Sequence, residues 1–194
     1  MSTPMRAKLA EADQMTIEEF LAFTDQRPDG ERWELIEGVA VMNASPTDWH
    51  QTVCLNIGAE LRAMKKASGA HWSPILDIGT RVPVSPKSLP RPDIIVKEGP
   101  MIGKSFSDDA LVLFEVMSKS NTAADRAWRK RVYASVPNCQ HYVSISMQTA
   151  EVVRHDRADG WIGTKFNGLA AKLSLPAINI VISLRDIYGS TPIK

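Results

Sequence analysis

The longest apolar run in the chain, Ala110 to Met117, carries a glutamate inside it, Glu115. A second run, Ile94-Ile95-Val96, follows directly on Asp93. Short runs of this kind, bounded by Pro, Gly and Asp clusters, read as buried strands. A carboxylate placed there is costly to bury unless it is paired or bound to a cation. Two on neighbouring strands repel unless a positive charge sits between them. Hard divalent metals such as Mg²⁺ take carboxylate oxygens and suit that place. The alternative for either acid is a strand end facing solvent, or a partner arginine.

The rest of the pattern supplies a sheet for these strands. Thr16-Ile17-Glu18-Glu19 is a capping box opening a short helix through Phe23. Trp33 to Met42, broken at Glu37-Gly38, reads as a hairpin. Ser45-Pro46 opens a long helix with an apolar stripe of Trp49, Val53, Ile57, Leu61 and Met64, ending near Gly69. Strands are expected over 71–84, 93–97, 110–117 and 141–147, with a second amphipathic helix over 121–135. A hairpin over 151–166 follows, then an apolar strand and a short tail segment over 173–188. The fold class is therefore α/β with a mixed sheet.

Composition sets the bounds. With 194 residues, 44% hydrophobic and 23% charged, the chain can bury one core and resembles neither a disordered chain nor a disulfide scaffold. We expect residues 1–14 to be a flexible lead-in and 15–194 to form a single domain. The net charge of +1 gives no global pull toward nucleic acid or membrane, so any such affinity needs a local patch. No apolar run approaches the roughly 18 residues of a membrane span. The first residues lack the apolar middle of a signal peptide. Cys54 and Cys139 lie far apart and outside any Cys-x-x-Cys pattern, and His71, His141 and His155 have no zinc-ligand spacing. A cytoplasmic location without zinc or disulfide is the expectation.

The patch follows Glu115. Between Lys119 and Tyr133 stand Lys119, Arg126, Arg129, Lys130 and Arg131 against one acid, Asp125, a local charge of +4. Asp125, Arg129 and Tyr133 at i, i+4 and i+8 share one helix face. Such a patch suits a phosphate backbone, or presents a cation to a scissile phosphate. Its alternatives are a solvated helix face and, for Asp125, a capping box with Thr122. His50, near the start of the long helix, suits contact with substrate or a carboxylate, or a purely structural place. Trp128 suits base stacking or core packing. A serine hydrolase elbow, a Gly-rich phosphate loop and a dinucleotide fingerprint are all missing.

These residues resemble the PD-(D/E)XK nuclease superfamily and, more closely, the Uma-two family of putative restriction endonucleases. The likeness rests on Met15 to Phe20, Trp33 to Gly38, Ser45-Pro46 with His50, and Arg91-Pro92-Asp93. It continues through Phe114 to Ser118, Ser120 to Thr122, Asp125 to Tyr133, Pro137, His141 to Val143, and Leu175-Pro176 to Tyr188. The resemblance implies a restriction-endonuclease-like fold, a central mixed sheet flanked by helices. It also implies that Asp93 and Glu115 ligate Mg²⁺, for which Mn²⁺ substitutes. Glu34 matches the family's early acidic position and would support the metal; taken alone it reads as a surface acid beside Trp33. His50, Asp125 and Tyr133 match supporting positions.

Two departures matter. The superfamily pattern wants Lys two residues after the Glu, where Met117 stands. The family moves that Lys onto the next helix, in register with Asp125 and Tyr133, where Arg129 stands with Lys130 beside it. Arg129 or Lys130 would then supply the catalytic cation, but Arg cannot act as a base because its pKa stays above about 12. The expectation is a Mg²⁺-dependent endonuclease acting on nucleic acid, DNA in the first instance, as a homodimer and away from membranes. Lys119, Arg126, Arg129, Lys130 and Arg131 would bind the nucleic acid. The alternative is a non-catalytic nucleic-acid-binding or assembly module that retains the nuclease fold.

Overall fold

The computed structural model of the chain describes residues 14–118 and 121–194. Helix α1 (Ile17–Thr24) is closed by the expected capping box: Thr16 Oγ1 accepts from Glu19 N, and Glu19 accepts from Thr16 N. A hairpin follows, β1 (Arg32–Ile36) with β2 (Val39–Asn43). Its turn needs left-handed backbone, φ +51 at Glu37 and +80 at Gly38. A Cβ on Gly38 would lie 2.4 Å from that of Gln14, so glycine is required there on two counts.

Helix α2 (Asp48–Ser68) begins later than the Pro46 start read from sequence. Thr47 is the cap, its hydroxyl accepting from His50 N at 3.3 Å, and Pro46 lies outside. Val53, Ile57 and Leu61 are fully buried along its inner face and Met64 packs against them. Trp49 departs from the expected stripe: it is 48% exposed and lines a cleft instead of the core.

The 71–84 strand is much shorter than expected. It divides into β3 (Ser73–Leu76) and β4 (Gly79–Thr80), since Asp77 turns the chain at φ +53. Then come β5 (Ile94–Lys97), β6 (Phe106–Ser107), β7 (Val112–Met117), α3 (Ala123–Ala134), β8 (His141–Ser146), β9 (Glu151–Asp156) and β10 (Gly163–Asn167). The C-terminal apolar run is a hairpin instead of one strand. β11 (Lys172–Leu175) turns through Pro176–Ile178 and Asn179, at φ +53, into β12 (Ile180–Ser183) and α4 (Leu184–Ile187).

Six strands form the central sheet in the order β10-β9-β8-β7-β5-β3. Every pairing is antiparallel except β7 with β8, which α3 connects as a crossover. Alternation then sorts the side chains. Ile94, Val96, Val112, Phe114 and Val116 face α2, α4 and the β11–β12 hairpin. Ile95, Leu113 and Met117 face α3, against Val132 and Tyr133. The sheet is thus mixed and flanked by helices. Among the described residues no helix is long and apolar enough to cross a membrane.

Candidate active site

Extending the β5–β7 register by one residue beyond Ile94↔Phe114 puts Asp93 opposite Glu115. Asp93 itself lies just ahead of β5, where its carboxylate meets α2 at His50, while Glu115 within β7 meets Arg129 and Tyr133 of α3. Asp93 is 8% exposed and Glu115 6%. Asp93 Oδ2 accepts from Val116 N at 2.8 Å, which ties the two strand ends together. Both acids line a cleft of about 520 Å³ with Arg32, Glu34, His50, Arg91 and Arg129.

Arg129 is the centre of this cleft. Its Nη1 donates to Glu115 Oε1 at 2.7 Å, and its Nη2 donates to Glu34 Oε2 at 3.0 Å. Glu34 is 1% exposed, so it is a buried partner rather than a surface acid. Its Oε1 also accepts from Arg91 N at 2.7 Å. Tyr133 donates its hydroxyl to Glu115 Oε1 at 2.5 Å and accepts from Arg129 at 3.1 Å. Of the two acids expected to require a dication, Glu115 therefore already has a guanidinium partner, which it shares with Glu34. Burial nonetheless raises Glu115; Arg129 opposes, Asp93 and Glu34 add to the rise, and Tyr133 opposes again. The outcome pushes Glu115 up to about 8. Burial opposes the charge on Arg129, but Glu115 and Glu34 outweigh it and hold its pKa above the ordinary value.

Asp93 has its own circle. His50 Nε2 lies 3.4 Å and Arg32 Nη2 3.8 Å from its Oδ1. Arg32 is held mainly by Asp77, at 2.7 Å, and its Nε is buried without a partner among the described residues. Cys54, one turn along α2, has its sulfur 3.7 Å from His50 Nδ1. Burial, then the charge of Asp93, hold that thiol well above its usual pKa.

A family model described as "Uma2: Putative restriction endonuclease" matches residues 17–185. The chain belongs to that family. A crystal structure of a putative nuclease belonging to DUF820 from Anabaena variabilis aligns over 90% of this chain and 97% of that one, with a TM-score of 0.72 at 16% identity. At that identity the likeness establishes the fold, which is restriction-endonuclease-like. Among curated proteins nothing matches.

In this Uma2 chain the residues singled out from sequence are only partly brought together. Asp93, Glu115, Glu34, His50, Arg129 and Tyr133 meet in or beside the cleft. Asp125 does not join them at that centre: its carboxylate accepts from Thr122 N at 3.0 Å and Thr122 Oγ1 at 2.8 Å, closing the capping box of α3. Lys130 lines a separate hollow of about 440 Å³ with Arg126, His155 and Lys165, which meets the cleft at Ser118. Arg131 lies outside both, 3.7 Å from Glu37. Trp128 donates to Glu37 and packs beside the α3 core. Lys119 and Ser120, and residues 1–13 of the expected lead-in, fall outside the described residues.

Sequence reasoning missed Arg32, Asp77, Arg91 and Cys54. Arg32 had a signal, since it stands two residues before Glu34 and so shares its strand face. Cys54 had one too, at i+4 from His50. Asp77 had none, because the chain reversal that delivers it was read as continuous strand.

Proposed function

We propose that this chain is a Mg²⁺-dependent endonuclease hydrolysing phosphodiester bonds of nucleic acid, with DNA as the substrate class. One observation carries the reading. Two carboxylates converge from opposed strand ends in an open cleft that also holds arginines and a histidine. The donor set fits a hard cation. Asp93 and Glu115 offer oxygens only, and no hydrogen bond among the described residues reaches Glu115 Oε2. Asp93 and Glu115 would hold the ion, which when bound activates water and offsets phosphoryl charge.

The chain's own residues divide the remaining tasks. Arg129, fixed at both ends by Glu34 and Glu115, presents a preorganised cation to a phosphate oxygen. It moves no proton. His50 supplies the imidazole beside Asp93 and can do so. Tyr133 fixes the orientation of Glu115. Arg126 and Lys130, in the hollow adjoining at Ser118, suit the next phosphates of the strand. A homodimer would set two such clefts about a two-fold axis for cleavage of both strands.

The test is incubation of supercoiled plasmid and oligonucleotides with Mg²⁺ or Mn²⁺, wild type beside Asp93→Ala. Cleavage by the wild type alone supports the reading; equal activity in both, or none on any nucleic acid, overturns it. A second reading, a binding module that no longer turns over, is favoured by Met117 and by Arg129 standing where the family has Lys. It requires salt-sensitive binding without cleavage. Calorimetric Mg²⁺ binding lost in Glu115→Gln would count for the enzyme.

A further inference from the structure

Cys54 has no place in the reaction above, yet it sits at the wall of the cleft. We infer that His50, Cys54 and Asp93 form a site for a zinc-type dication, and that its occupation withdraws Asp93 from the Mg²⁺ site. The second half rests on the proposed endonuclease reading; the first does not.

Three observations support it. His50 and Cys54 stand one helical turn apart on α2, so both side chains project from the same face. Asp93, the residue just ahead of β5, meets them there. One donor atom from each of the three lies within 4.8 Å of the other two. Ligand bonds of about 2.0–2.3 Å place tetrahedral ligand atoms roughly 3.3–3.8 Å apart. The cluster is therefore within about an ångström of closing, which side-chain rotation can supply.

The chemistry separates this set from the oxygen pair. Imidazole, thiolate and carboxylate suit Zn²⁺ or Co²⁺, whereas Mg²⁺ takes oxygen ligands and avoids sulfur. The disulfide use of Cys54 is not in play, since the thiol is free and Cys139 lies in the other core layer. Coordination sends the Cys54 proton to solvent and leaves a thiolate on the metal. Arg32, 3.8 Å from Asp93, need not move into an unpaired state, because its stronger contact is Asp77 at 2.7 Å. Three protein ligands leave a fourth position toward the cleft, open to water or a phosphate oxygen. The surroundings are dry enough for a defined geometry: Cys54 is 5% exposed and Asp93 8%.

Co²⁺ reports thiolate ligation by a near-ultraviolet charge-transfer band. Titrated into the metal-free full chain, it should produce that band at one equivalent, and Zn²⁺ should abolish it by competition. Cys54→Ser should lose the band and weaken Zn²⁺ binding at least roughly tenfold, the lower bound even when only an outer partner of a ligand is lost. His50→Ala should weaken Zn²⁺ binding comparably. Cys139→Ser and Glu115→Gln should keep both band and affinity, the latter separating this site from the Mg²⁺ reading. Circular dichroism and a thermal melt confirm that each variant is folded, and Cys54→Ala stands in if Cys54→Ser is not. No band in the wild type, or a band surviving in Cys54→Ser or Cys54→Ala, overturns the site. In cleavage assays Zn²⁺ should inhibit the Mg²⁺ reaction of the wild type and lose that effect in Cys54→Ser. Equal inhibition of both overturns the competition while leaving the spectroscopic result to decide the site.

Discussion

Two clusters of buried charge sit on this sheet, and each combines a histidine, a carboxylate and an arginine. The one at the β5 and β7 strand ends lines a cleft. The other joins β8 and β9 to the C-terminal hairpin. There, Asp156 Oδ1 meets His141 Nδ1 at 2.5 Å, and Oδ2 accepts from Arg154 Nε at 2.9 Å and Nη2 at 2.7 Å. Arg154 Nη1 donates to both Ser174 oxygens, and His141 Nε2 accepts from Ala177 N at 3.1 Å. The bonding capacity of that cluster is taken up within the protein. In the cleft cluster, Arg32 Nε has no partner among the described residues, Glu115 Oε2 accepts no hydrogen bond from them, and solvent reaches the walls. Buried charge alone therefore does not mark a site. Unused bonding capacity beside open space does.

The sharpest way to break this contrast is to remove one carboxylate from each. Asp156→Ala leaves Arg154 and His141 without their acceptor in a closed interior, and should cost about 3–5 kcal/mol in urea unfolding. Cleavage per folded molecule should hold. Asp93→Ala should reverse the pattern, reducing Mg²⁺-dependent cleavage by about a hundredfold or more with a smaller stability loss. If both variants lose stability alike and activity alike, the distinction between the clusters fails.

Arg129→Met comes next in size. It leaves Glu34 and Glu115 without their shared guanidinium. Arg129 is the chief influence opposing the rise of Glu115, so its loss drives Glu115 further toward the neutral form, which limits the damage to about 2–3 kcal/mol. Arg129→Lys keeps the charge but not the fork that spans both acids, so it should recover part of the stability. If Lys also raises cleavage, the family's lysine register is functional here. If it lowers cleavage with stability restored, the two-ended grip of Arg129 is what matters.

Much of this was legible in the chain, for identifiable reasons. The acid pair could be read because Asp93 and Glu115 each adjoin an apolar run, and burial makes such acids conspicuous. The helix face carrying Arg129 and Tyr133 could be read from i, i+4 spacing. What escaped depends on contacts distant in sequence. Glu34 looks like a surface acid beside Trp33 until Arg91 and Arg129 close over it from positions 57 and 95 residues away. The length of the 71–84 strand was misjudged because Asp77 takes a left-handed turn without glycine. The basic stretch looked like one patch, whereas helical rotation splits it: Arg129 into the cleft, Arg126 and Lys130 into the next hollow, Arg131 toward Glu37.

The two clusters should also respond to pH with opposite signs. Glu115 is raised from 4.5 to about 8, so the folded, metal-free protein holds more protons than the unfolded chain between those values. Its contribution is full below 4.5 and is lost as pH rises through about 8. Burial lowers His141 below its ordinary 6.5, with Asp156 opposing, so there the unfolded chain holds more protons. That contribution is present above 6.5 and is lost as pH falls through the folded value. Urea midpoints measured in chelator across pH should show both slopes. Glu115→Gln should remove the loss at the upper end alone, and His141→Gln the loss at the lower end alone.

The smallest effect tests whether the open cleft is nonetheless preorganised. Thr122 closes the capping box of α3, about two turns ahead of Arg129, the residue of that helix that lines the cleft. Thr122→Ala should cost about 1 kcal/mol by freeing an amide of the first turn. Arg129 and Tyr133 lie deeper in the helix and are held from outside it by Glu34 and Glu115. Fraying at Ala123 should therefore not reach them, and the kcat of any cleavage should change by less than about twofold. A larger fall in kcat at unchanged KM would mean that the helix start positions Arg129, and that its rigidity comes from the cap instead of the acids.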